Sequence, residues 1–186
     1  MSGGLSDRKK AMRRQCFSAL KALSVQEKEA ASAEICQQVA DLDAFQSADT
    51  IFAFLPLPSE PDLRSLFDES RTWGFPRVLA DDKMEFRKVS DLSQCREGKY
   101  KISEPDPEVC SLLEPLGAEI LLIPGVGFQK ETGDRLGRGK GHYDRFLQVC
   151  LNQENPPLLL GICFSVQLCD VPAESHDIPM DLVISG

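Results

Sequence analysis

Apolar and polar positions follow two different periods along the chain, and together they predict an α/β protein. Short apolar runs of the length of buried strands lie at residues 50–55, 120–124, 158–164 and 182–184. Residues 75–80 and 84–89 form a further pair around Asp81-Asp82-Lys83, which predicts a small β-hairpin. Helical patterns separate the apolar runs. This alternation favours a three-layer fold in which a mostly parallel sheet is flanked by helices.

Residues with capping potential indicate where the helices begin. Ser6 is a candidate N-cap for the first helix, and Ser24 with Glu27 predicts a capping box for the second. Asp62 is a candidate cap for a third helix, which Trp73-Gly74 would close.

The first helix also carries two cations toward the body of the protein. At about 100° per residue, Lys9 and Arg13 fall on the same side as Leu20, and the apolar end of this stripe should dock on the core. The two cations could therefore face a ligand. Two solvated cations on an N-terminal helix are an equally good interpretation of the pattern.

An extended loop follows the first predicted strand at its carboxyl end. The strand stops at Pro56, and the loop comprises Leu57-Pro58-Ser59-Glu60-Pro61. Ligands of open α/β sheets collect at such ends. Glu60 could bind a polar group of a ligand there, although a solvated loop glutamate is the commoner case. A second irregular stretch, residues 90–107, is long for a compact domain, and such loops are more often functional than idle.

The most informative stretch is a glycine-rich, positively charged loop between a predicted strand and a predicted helix. Residues 133–141 form this segment, called the basic loop below. Its glycines and cations are Gly133, Arg135, Gly137, Arg138, Gly139, Lys140 and Gly141. Glycines let backbone N–H groups approach a ligand closely, and arginine and lysine supply donors that match phosphate oxygens. Because the following helix, from Tyr143, would point its positive end at the same place, the loop is predicted to bind phosphate.

The spacing of the basic loop differs from that of the common phosphate-binding motifs. Asp134 stands where a P-loop has its first glycine, and Gly141 stands where a P-loop has Ser or Thr. The dinucleotide fingerprint Gly-x-Gly-x-x-Gly is also missing. The alternative interpretations are a solvated basic turn and an Arg-Gly segment that contacts RNA.

Composition narrows the class of ligand and the expected compartment. The 186 residues carry a net charge of −8, which argues against a general nucleic-acid binder and leaves the basic loop as a local positive site for a small anion. No apolar stretch approaches transmembrane length, so we expect no membrane association. Seven cysteines without a Cys-x-x-Cys pair, and only two histidines, favour free thiols in a reducing cytoplasm over a zinc site. Because we find neither an internal repeat nor a linker, we expect residues 1–186 to form a single domain.

The motif resembles the signature of the 5-formyltetrahydrofolate cyclo-ligases, also called methenyltetrahydrofolate synthetases. The similarity begins at Gly125-Val126-Gly127-Phe128, continues through the basic loop and ends at His142-Tyr143-Asp144. Weaker matches extend over the whole chain and comprise Lys9 and Arg13, Pro58-Ser59-Glu60, Pro76-Arg77, Gly98, Ile102, Glu104, Pro105 and Asp181. The chain departs from the family pattern at His142, where the family usually has Tyr. It departs again at Tyr100-Lys101, where the family usually has Trp-Gly or Trp-Asn. The first departure could alter nucleotide contacts and the second the stacking against the pterin.

This resemblance implies an enzyme that uses ATP and Mg²⁺ to close 5-formyltetrahydrofolate to 5,10-methenyltetrahydrofolate, with release of ADP and phosphate. The reaction would pass through a phosphorylated formyl group that N10 of the folate attacks. The implied catalytic residues are Arg138, Lys140 and Glu60, and the implied Mg²⁺ ligands are Asp144 and Asp181. The implied ATP-binding residues are Lys9, Arg13, Arg135, Gly137, Arg138, Gly139, Lys140, Gly141, His142 and Tyr143. The implied substrate-binding residues are Pro58, Glu60, Tyr100, Gly139 and Tyr143.

The expected partners are therefore ATP and 5-formyltetrahydrofolate, with or without a polyglutamate tail, and we expect a monomer. Three other functions fit parts of the pattern. A different phosphotransferase or sugar-phosphate enzyme would keep the basic loop but would not need Glu60 or an aromatic residue near position 100. A regulatory nucleotide- or folate-binding protein could have lost the chemistry, although every charged position of the signature is present. An RNA-binding module is opposed by the acidic balance of the chain.

Overall fold

A mixed, mostly parallel sheet of seven strands forms the centre of the fold. The computed structural model describes residues 4–79, 83–98, 102–174 and 177–186. The strands are β1 (Thr50–Phe52), β2 (Thr72–Val78), β3 (Met84–Val89), β4 (Cys95–Glu97), β5 (Ser103–Pro105), β6 (Leu112–Leu113), β7 (Ile120–Pro124), β8 (Gly127–Phe128), β9 (Arg135–Leu136), β10 (Leu158–Cys163) and β11 (Leu182–Ser185). The large sheet has the order β11-β10-β7-β1-β2-β3-β6, while β4 pairs with β5 and β8 pairs with β9.

The sheet has a parallel part and an antiparallel part that meet at β2. Strands β11, β10, β7, β1 and β2 run parallel to their neighbours. Strand β2 then pairs antiparallel with β3, for example Phe75 with Arg87, and β3 pairs antiparallel with β6. The predicted hairpin is therefore confirmed, and it belongs to the main sheet. Residues 80–82, in its turn, lie outside the described residues.

Helices cover both faces of the sheet, as the predicted three-layer architecture requires. They are α1 (Leu5–Ala22), α2 (Val25–Ala40), α3 (Asp43–Ser47) and α4 (His142–Leu151). Successive residues of β7 point to opposite faces, so Ile120 and Leu122 pack in the cluster that contains residues of α1, α2 and α3. Leu121 and Ile123 pack in the cluster that contains Phe146 of α4. Of the helices that the structure describes, none combines the length and the apolar composition that crossing a bilayer would require.

The helix caps agree with the sequence pattern in one case and differ in the other. The hydroxyl of Ser24 accepts from the Glu27 N–H at 3.2 Å, and the Glu27 carboxylate accepts from the Ser24 N–H at 2.7 Å, which confirms the capping box. The prediction that Ser6 caps α1 is wrong. The helix begins at Leu5 with Gly4 as its N-cap, and no side chain makes a capping hydrogen bond there.

The predicted helix after Asp62 is also wrong, since only one 3₁₀ turn forms, at Arg64–Leu66. The Asp62 carboxylate accepts from the Arg64 N–H at 3.0 Å, a local turn contact that helix caps and turns have in common. Trp73 and Gly74 lie within β2. A Cβ on Gly74 would come within 2.6 Å of the Phe52 ring, so the glycine allows two strands to pack closely and does not end a helix.

Candidate active site

A cavity of about 170 Å³ opens where the chain leaves β1 and β7 at their carboxyl ends. Parallel strands commonly present their ligand sites at this edge. Its apolar wall, which comes from the segments around β1, β2, β3 and β5, consists of Phe54, Leu55, Leu57, Pro76, Val78, Met84 and Ile102. Its polar wall, which comes from the basic loop and the start of α4, consists of Arg135, Gly137, Arg138, Lys140, Gly141, His142, Tyr143 and Asp144. Two acidic residues, Glu60 and Glu104, also line the cavity.

The backbone of the basic loop depends on glycine at two positions. Gly139 has a φ of +93° and Gly141 a φ of +65°, both in the left-handed region that other residues disfavour. Gly141 is also the N-cap of α4, so the loop passes directly into the positive end of that helix. Arg13 of α1 reaches the loop, because its Nε donates to the carbonyl of Gly137 at 2.8 Å. The structure therefore brings Arg13 to the basic loop.

Arg135 is the buried cation of the site, with only 4% of its side chain exposed. Its Nη2 donates to Oδ1 of Asp144 at 2.6 Å, and its Nη1 donates to the carbonyl of Pro124 at 3.3 Å. The guanidinium also lies 5.5 Å from the centroid of the Tyr143 ring. Its Nε has no hydrogen-bond partner among the described residues. Burial, an ion pair and a ring contact together fix this side chain in place.

Arg138 crosses the cavity mouth to the loop that follows β1. Its Nη2 donates to Oε1 of Glu60 at 3.0 Å and to the hydroxyl of Ser59 at 3.1 Å. The other carboxylate oxygen of Glu60 accepts from the Leu57 N–H at 3.0 Å. The Glu60 side chain is 7% exposed, whereas that of Arg138 is 43% exposed and lies over the ring of Phe17. Arg138, predicted to bind ATP, and Glu60, predicted to bind the folate, therefore form an ion pair with each other.

Two residues at the start of α4, Tyr143 and His142, and Lys140 of the basic loop also belong to the polar wall. Burial, followed by the negative charge of Glu60, raises the pKa of the Tyr143 hydroxyl well above its usual range, and the charge of Arg135 only partly opposes this. Tyr143 is therefore protonated at neutral pH and can donate a hydrogen bond. His142 is half-buried and Lys140 is exposed, and both line the cavity.

Several predicted site residues lie elsewhere. Lys9 does not line the cavity, and its ammonium donates to Glu174 at 2.8 Å and to Asp177 at 2.6 Å. Burial alone would lower the pKa of Lys9, but its contacts with these two carboxylates raise it overall, so Lys9 stays charged. Pro58 is absent from the cavity wall, and its carbonyl accepts from Lys28 at 3.1 Å. Tyr100 lies outside the described residues.

The structure does not bring the two predicted Mg²⁺ ligands together. Asp144 lines the cavity and is paired with Arg135. Asp181 accepts from the Leu159 N–H at 2.8 Å, near the beginning of β10, whereas the cavity lies where the parallel strands end. Within the described ranges, no group of three or more His, Cys, Asp or Glu side chains is arranged to hold a metal ion. A metal site built from this pair therefore stays a prediction from the sequence.

The sequence reasoning missed the apolar wall of the cavity. It predicted Met84 and Val78 only as strand residues and identified Glu104 only through its match to a family motif. Glu104 is buried at 8% exposure, and a Cβ on Gly98 would come within 2.6 Å of its carboxylate. One signal was available, since Phe54 and Leu55 end the first predicted strand just before the loop at its carboxyl end. The hairpin residues Pro76, Val78 and Met84 gave no comparable signal, because only the order of the strands in the sheet brings them to the cavity.

Comparison with known proteins shows what the chain is similar to. The 5-formyltetrahydrofolate cyclo-ligase family matches residues 5–186. A 5-formyltetrahydrofolate cyclo-ligase of Mus musculus is 28% identical over 188 residues, which cover 95% of this chain and 92% of the mouse protein. The chain also resembles two solved structures, both described as 5,10-methenyltetrahydrofolate synthetases.

The first of these structures, from Aquifex aeolicus, has a TM-score of 0.80 and 26% identity and covers 95% of this chain and 89% of its own. The second, from Mycoplasma pneumoniae, has a TM-score of 0.74 and 27% identity and covers 95% of this chain and 97% of its own. The family match thus covers nearly the whole chain, including the basic loop and the segments that line the cavity. The chain belongs to the 5-formyltetrahydrofolate cyclo-ligase family of enzymes.

Proposed function

We propose that this protein catalyses the ATP- and Mg²⁺-dependent cyclisation of 5-formyltetrahydrofolate to 5,10-methenyltetrahydrofolate, with release of ADP and phosphate. One observation carries the proposal. A single cavity combines the cations of the basic loop on one wall with an apolar wall and the carboxylate of Glu60 on the other. The polar wall suits a polyphosphate, and the apolar wall suits a flat heterocycle that presents hydrogen-bond donors at its edge.

The chemistry requires charge neutralisation more than covalent help. The oxygen of a formamide is a poor leaving group, so the γ-phosphoryl group of ATP is transferred to it and ADP leaves. N10 of the folate then attacks the activated formyl carbon and loses its proton, and the C–O bond breaks to release phosphate, which can carry that proton away. Phosphoryl transfer of this kind depends on positioned cations. Arg138 and Lys140 would supply them, while the backbone N–H of Gly139 could approach the phosphates closely.

The other cations would act on the shape of the site. Arg135 is held by Asp144 and the Pro124 carbonyl, so it would form a fixed positive wall behind the phosphates. Arg13 would hold the basic loop through the Gly137 carbonyl. The contacts of Lys9 with Glu174 and Asp177 support a role in anchoring α1, and we do not assign it a direct phosphate contact.

The folate would lie against the apolar wall, with Glu60 accepting hydrogen bonds from its ring donors and the Tyr143 hydroxyl donating one. Of the two predicted metal ligands, Asp144 lines the cavity and would hold the magnesium ion there. Magnesium commonly binds one or two carboxylates together with phosphate oxygens, and it would supply further neutralisation of the phosphate charge. Measuring turnover with and without metal tests whether the reaction requires magnesium.

The test is direct, because the methenyl product has its own ultraviolet absorbance. The purified protein is mixed with 5-formyltetrahydrofolate, Mg²⁺ and ATP, and reactions without ATP or with EDTA serve as controls. Product formation that needs both ATP and metal is the expected result. Binding of both ligands without product would favour a regulatory protein. ATP binding without folate binding would favour a different phosphotransferase.

Residue roles are tested with a matched pair of arginine variants. Arg138→Ala removes an exposed side chain of the polar wall and should lower kcat/KM about a hundredfold or more while the fold is retained. Arg14→Ala removes an exposed arginine of α1 that does not line the cavity, so its turnover should stay close to that of the unaltered protein. Near-normal turnover of a folded Arg138→Ala protein would refute the assignment of the basic loop to phosphate.

We also propose a reducing cytoplasm as the compartment, since all seven cysteines are free thiols in the structure. The monomeric state, the single domain and the response to polyglutamate tails stay predictions from the sequence. Size-exclusion chromatography with light scattering tests the first. Comparison of the KM values for mono- and polyglutamylated substrate tests the last.

A further inference from the structure

The ion pair between Arg138 and Glu60 joins the two parts of the site that bind different ligands under the proposed function. Arg138 belongs to the polar wall, which is assigned to the phosphates, and Glu60 is assigned to the folate, yet Nη2 of Arg138 donates to Oε1 of Glu60 at 3.0 Å. The same Nη2 donates to the Ser59 hydroxyl at 3.1 Å. Both hydrogens of this nitrogen therefore have acceptors in the Ser59-Glu60 segment, and a phosphate oxygen must replace them to receive this end of the guanidinium.

The ion pair restrains Glu60 as well. Its Oε2 accepts from the Leu57 N–H at 3.0 Å, its Oε1 accepts from Arg138, and its side chain is 7% exposed. While the guanidinium compensates the carboxylate charge, Glu60 attracts a donor on the folate ring less strongly than a free carboxylate would. Each member of the pair thus lowers the affinity of the other for its own ligand.

Burial indicates which member moves. Arg138 is 43% exposed and contacts a ring face 5.5 Å away, so its side chain can rotate toward the cavity at little cost. Glu60 is fixed by the Leu57 N–H, and Arg135, the neighbouring cation, is buried and bound to Asp144. Arg138 is therefore the only one of these three side chains with both exposure and a partner that a ligand can replace.

We propose that the Arg138–Glu60 ion pair couples the two ligands, so that a nucleotide and a reduced folate each raise the affinity for the other. When the phosphates of the nucleotide take Arg138, Glu60 becomes free to accept from the folate. When the folate takes Glu60, Arg138 becomes free for the phosphates. Such coupling is reciprocal by thermodynamic necessity. This proposal rests on the proposed function, because it uses the ligands assigned there to each residue.

The coupling is measured by isothermal titration calorimetry on the full chain. The Kd of 5-formyltetrahydrofolate is determined with and without saturating Mg²⁺ and AMP-PNP, a non-hydrolysable ATP analogue. We expect the analogue to tighten folate binding about fivefold or more, and folate to tighten binding of the analogue by the same factor.

Glu60→Gln provides the decisive variant, because a residue that only contacts folate would not affect nucleotide binding in the absence of folate. The amide keeps a similar shape but removes the charge that holds Arg138. Glu60→Gln should therefore bind AMP-PNP more tightly than the unaltered protein, by about the coupling factor, while the coupling itself falls toward one. Ser59→Ala, which removes only the hydroxyl contact, should give a smaller gain in the same direction.

A control is needed for the loss of one negative charge from an acidic protein. Glu29→Gln makes the same change at an exposed position of α2, and it should leave the Kd of AMP-PNP unchanged. If both ligands bind but their Kd values are independent, and Glu60→Gln brings no gain, the coupling is refuted while the proposed function stands. If AMP-PNP or the folate does not bind at all, both the coupling and the proposed function are refuted.

Discussion

The ion pair between Arg135 and Asp144 should respond unequally to removal of its two members. In Asp144→Ala, the guanidinium, which is 4% exposed in the intact protein, loses its carboxylate partner, and breaking a buried pair in this way costs about 3–5 kcal/mol. In Arg135→Met, the remaining carboxylate is 29% exposed and can be hydrated, so the cost should be nearer that of one charged hydrogen bond, about 1.5–3 kcal/mol. Domains are typically stable by about 5–15 kcal/mol, so both losses are measurable.

The double variant gives the sharpest test of this reasoning. Arg135→Met in the Asp144→Ala background removes the uncompensated charge and fills the space with an apolar side chain, so the double variant should be more stable than Asp144→Ala alone. Urea unfolding followed by circular dichroism at pH 7 measures the free energies. Arg64→Ala, which breaks an exposed pair with Asp62 and keeps the contact of the Asp62 carboxylate with the backbone, should cost no more than about 1 kcal/mol and serves as the control. A double variant less stable than Asp144→Ala would refute the account of a buried, position-fixed arginine.

Three further predictions concern packing and ionisation. Gly161→Ala should lower the free energy of unfolding by about 1–3 kcal/mol, and with it the Tm, because a Cβ there would come within 2.6 Å of Phe128. Gly4→Ala is the control, since a Cβ on Gly4 meets nothing within 4 Å. Because the pKa of Lys9 is raised by folding, its contribution to stability is fully present below 10.5 and is lost as the pH rises through the higher folded value. Urea unfolding against pH should show this alkaline loss, and Lys9→Met should flatten it. Burial raises the pKa of Cys163 to about 12, so iodoacetamide at pH 8 should label it only after unfolding, as peptide mass spectrometry would show.

Each of these predictions has an opposite outcome. An unchanged Tm in Gly161→Ala would mean that the core around Phe128 yields more easily than its packing suggests. An equally steep alkaline loss of stability in Lys9→Met would assign that loss to other groups. Labelling of Cys163 in the folded protein would show that this thiol reaches solvent through local opening faster than its burial implies.

The sequence predicted the parts of the fold that depend on local patterns. The apolar runs gave the parallel strands, and Ser24 with Glu27 gave the cap of α2. The predictions from sequence failed where the same residue type is common in two kinds of local structure. Asp62 has the residue type of a helix cap, but its carboxylate closes a short turn. Gly74 has the residue type of a helix end, but it allows the Phe52 ring to pack against β2.

The candidate site was predictable to the extent that it is continuous in sequence. The basic loop is one segment, and five of its residues line one cavity together with Glu60, although Gly139 is not among them. The apolar wall comes from four separate segments that only the order of the strands brings together. The pairing of Lys9 with Glu174 spans most of the chain, and no local pattern indicates it. Long-range ion pairs of this kind decide which cations face the cavity, so charge counting along the chain overestimates the number available to a ligand.

The sheet changes from parallel to antiparallel pairing at β2, and the two walls of the cavity come from different parts of the chain. The polar wall follows β7 and passes into α4, whose residues Phe146 and Leu147 belong to the core, so substitutions there disturb packing as well as chemistry. The apolar wall includes Pro76 and Met84, which lie on the antiparallel hairpin toward one edge of the sheet. Under the proposed function, changes in the hairpin can therefore reshape the part of the cavity that would hold the phosphoryl acceptor and leave the polar wall intact. A fold organised in this way would be able to change its acceptor while it retains the same phosphoryl donor.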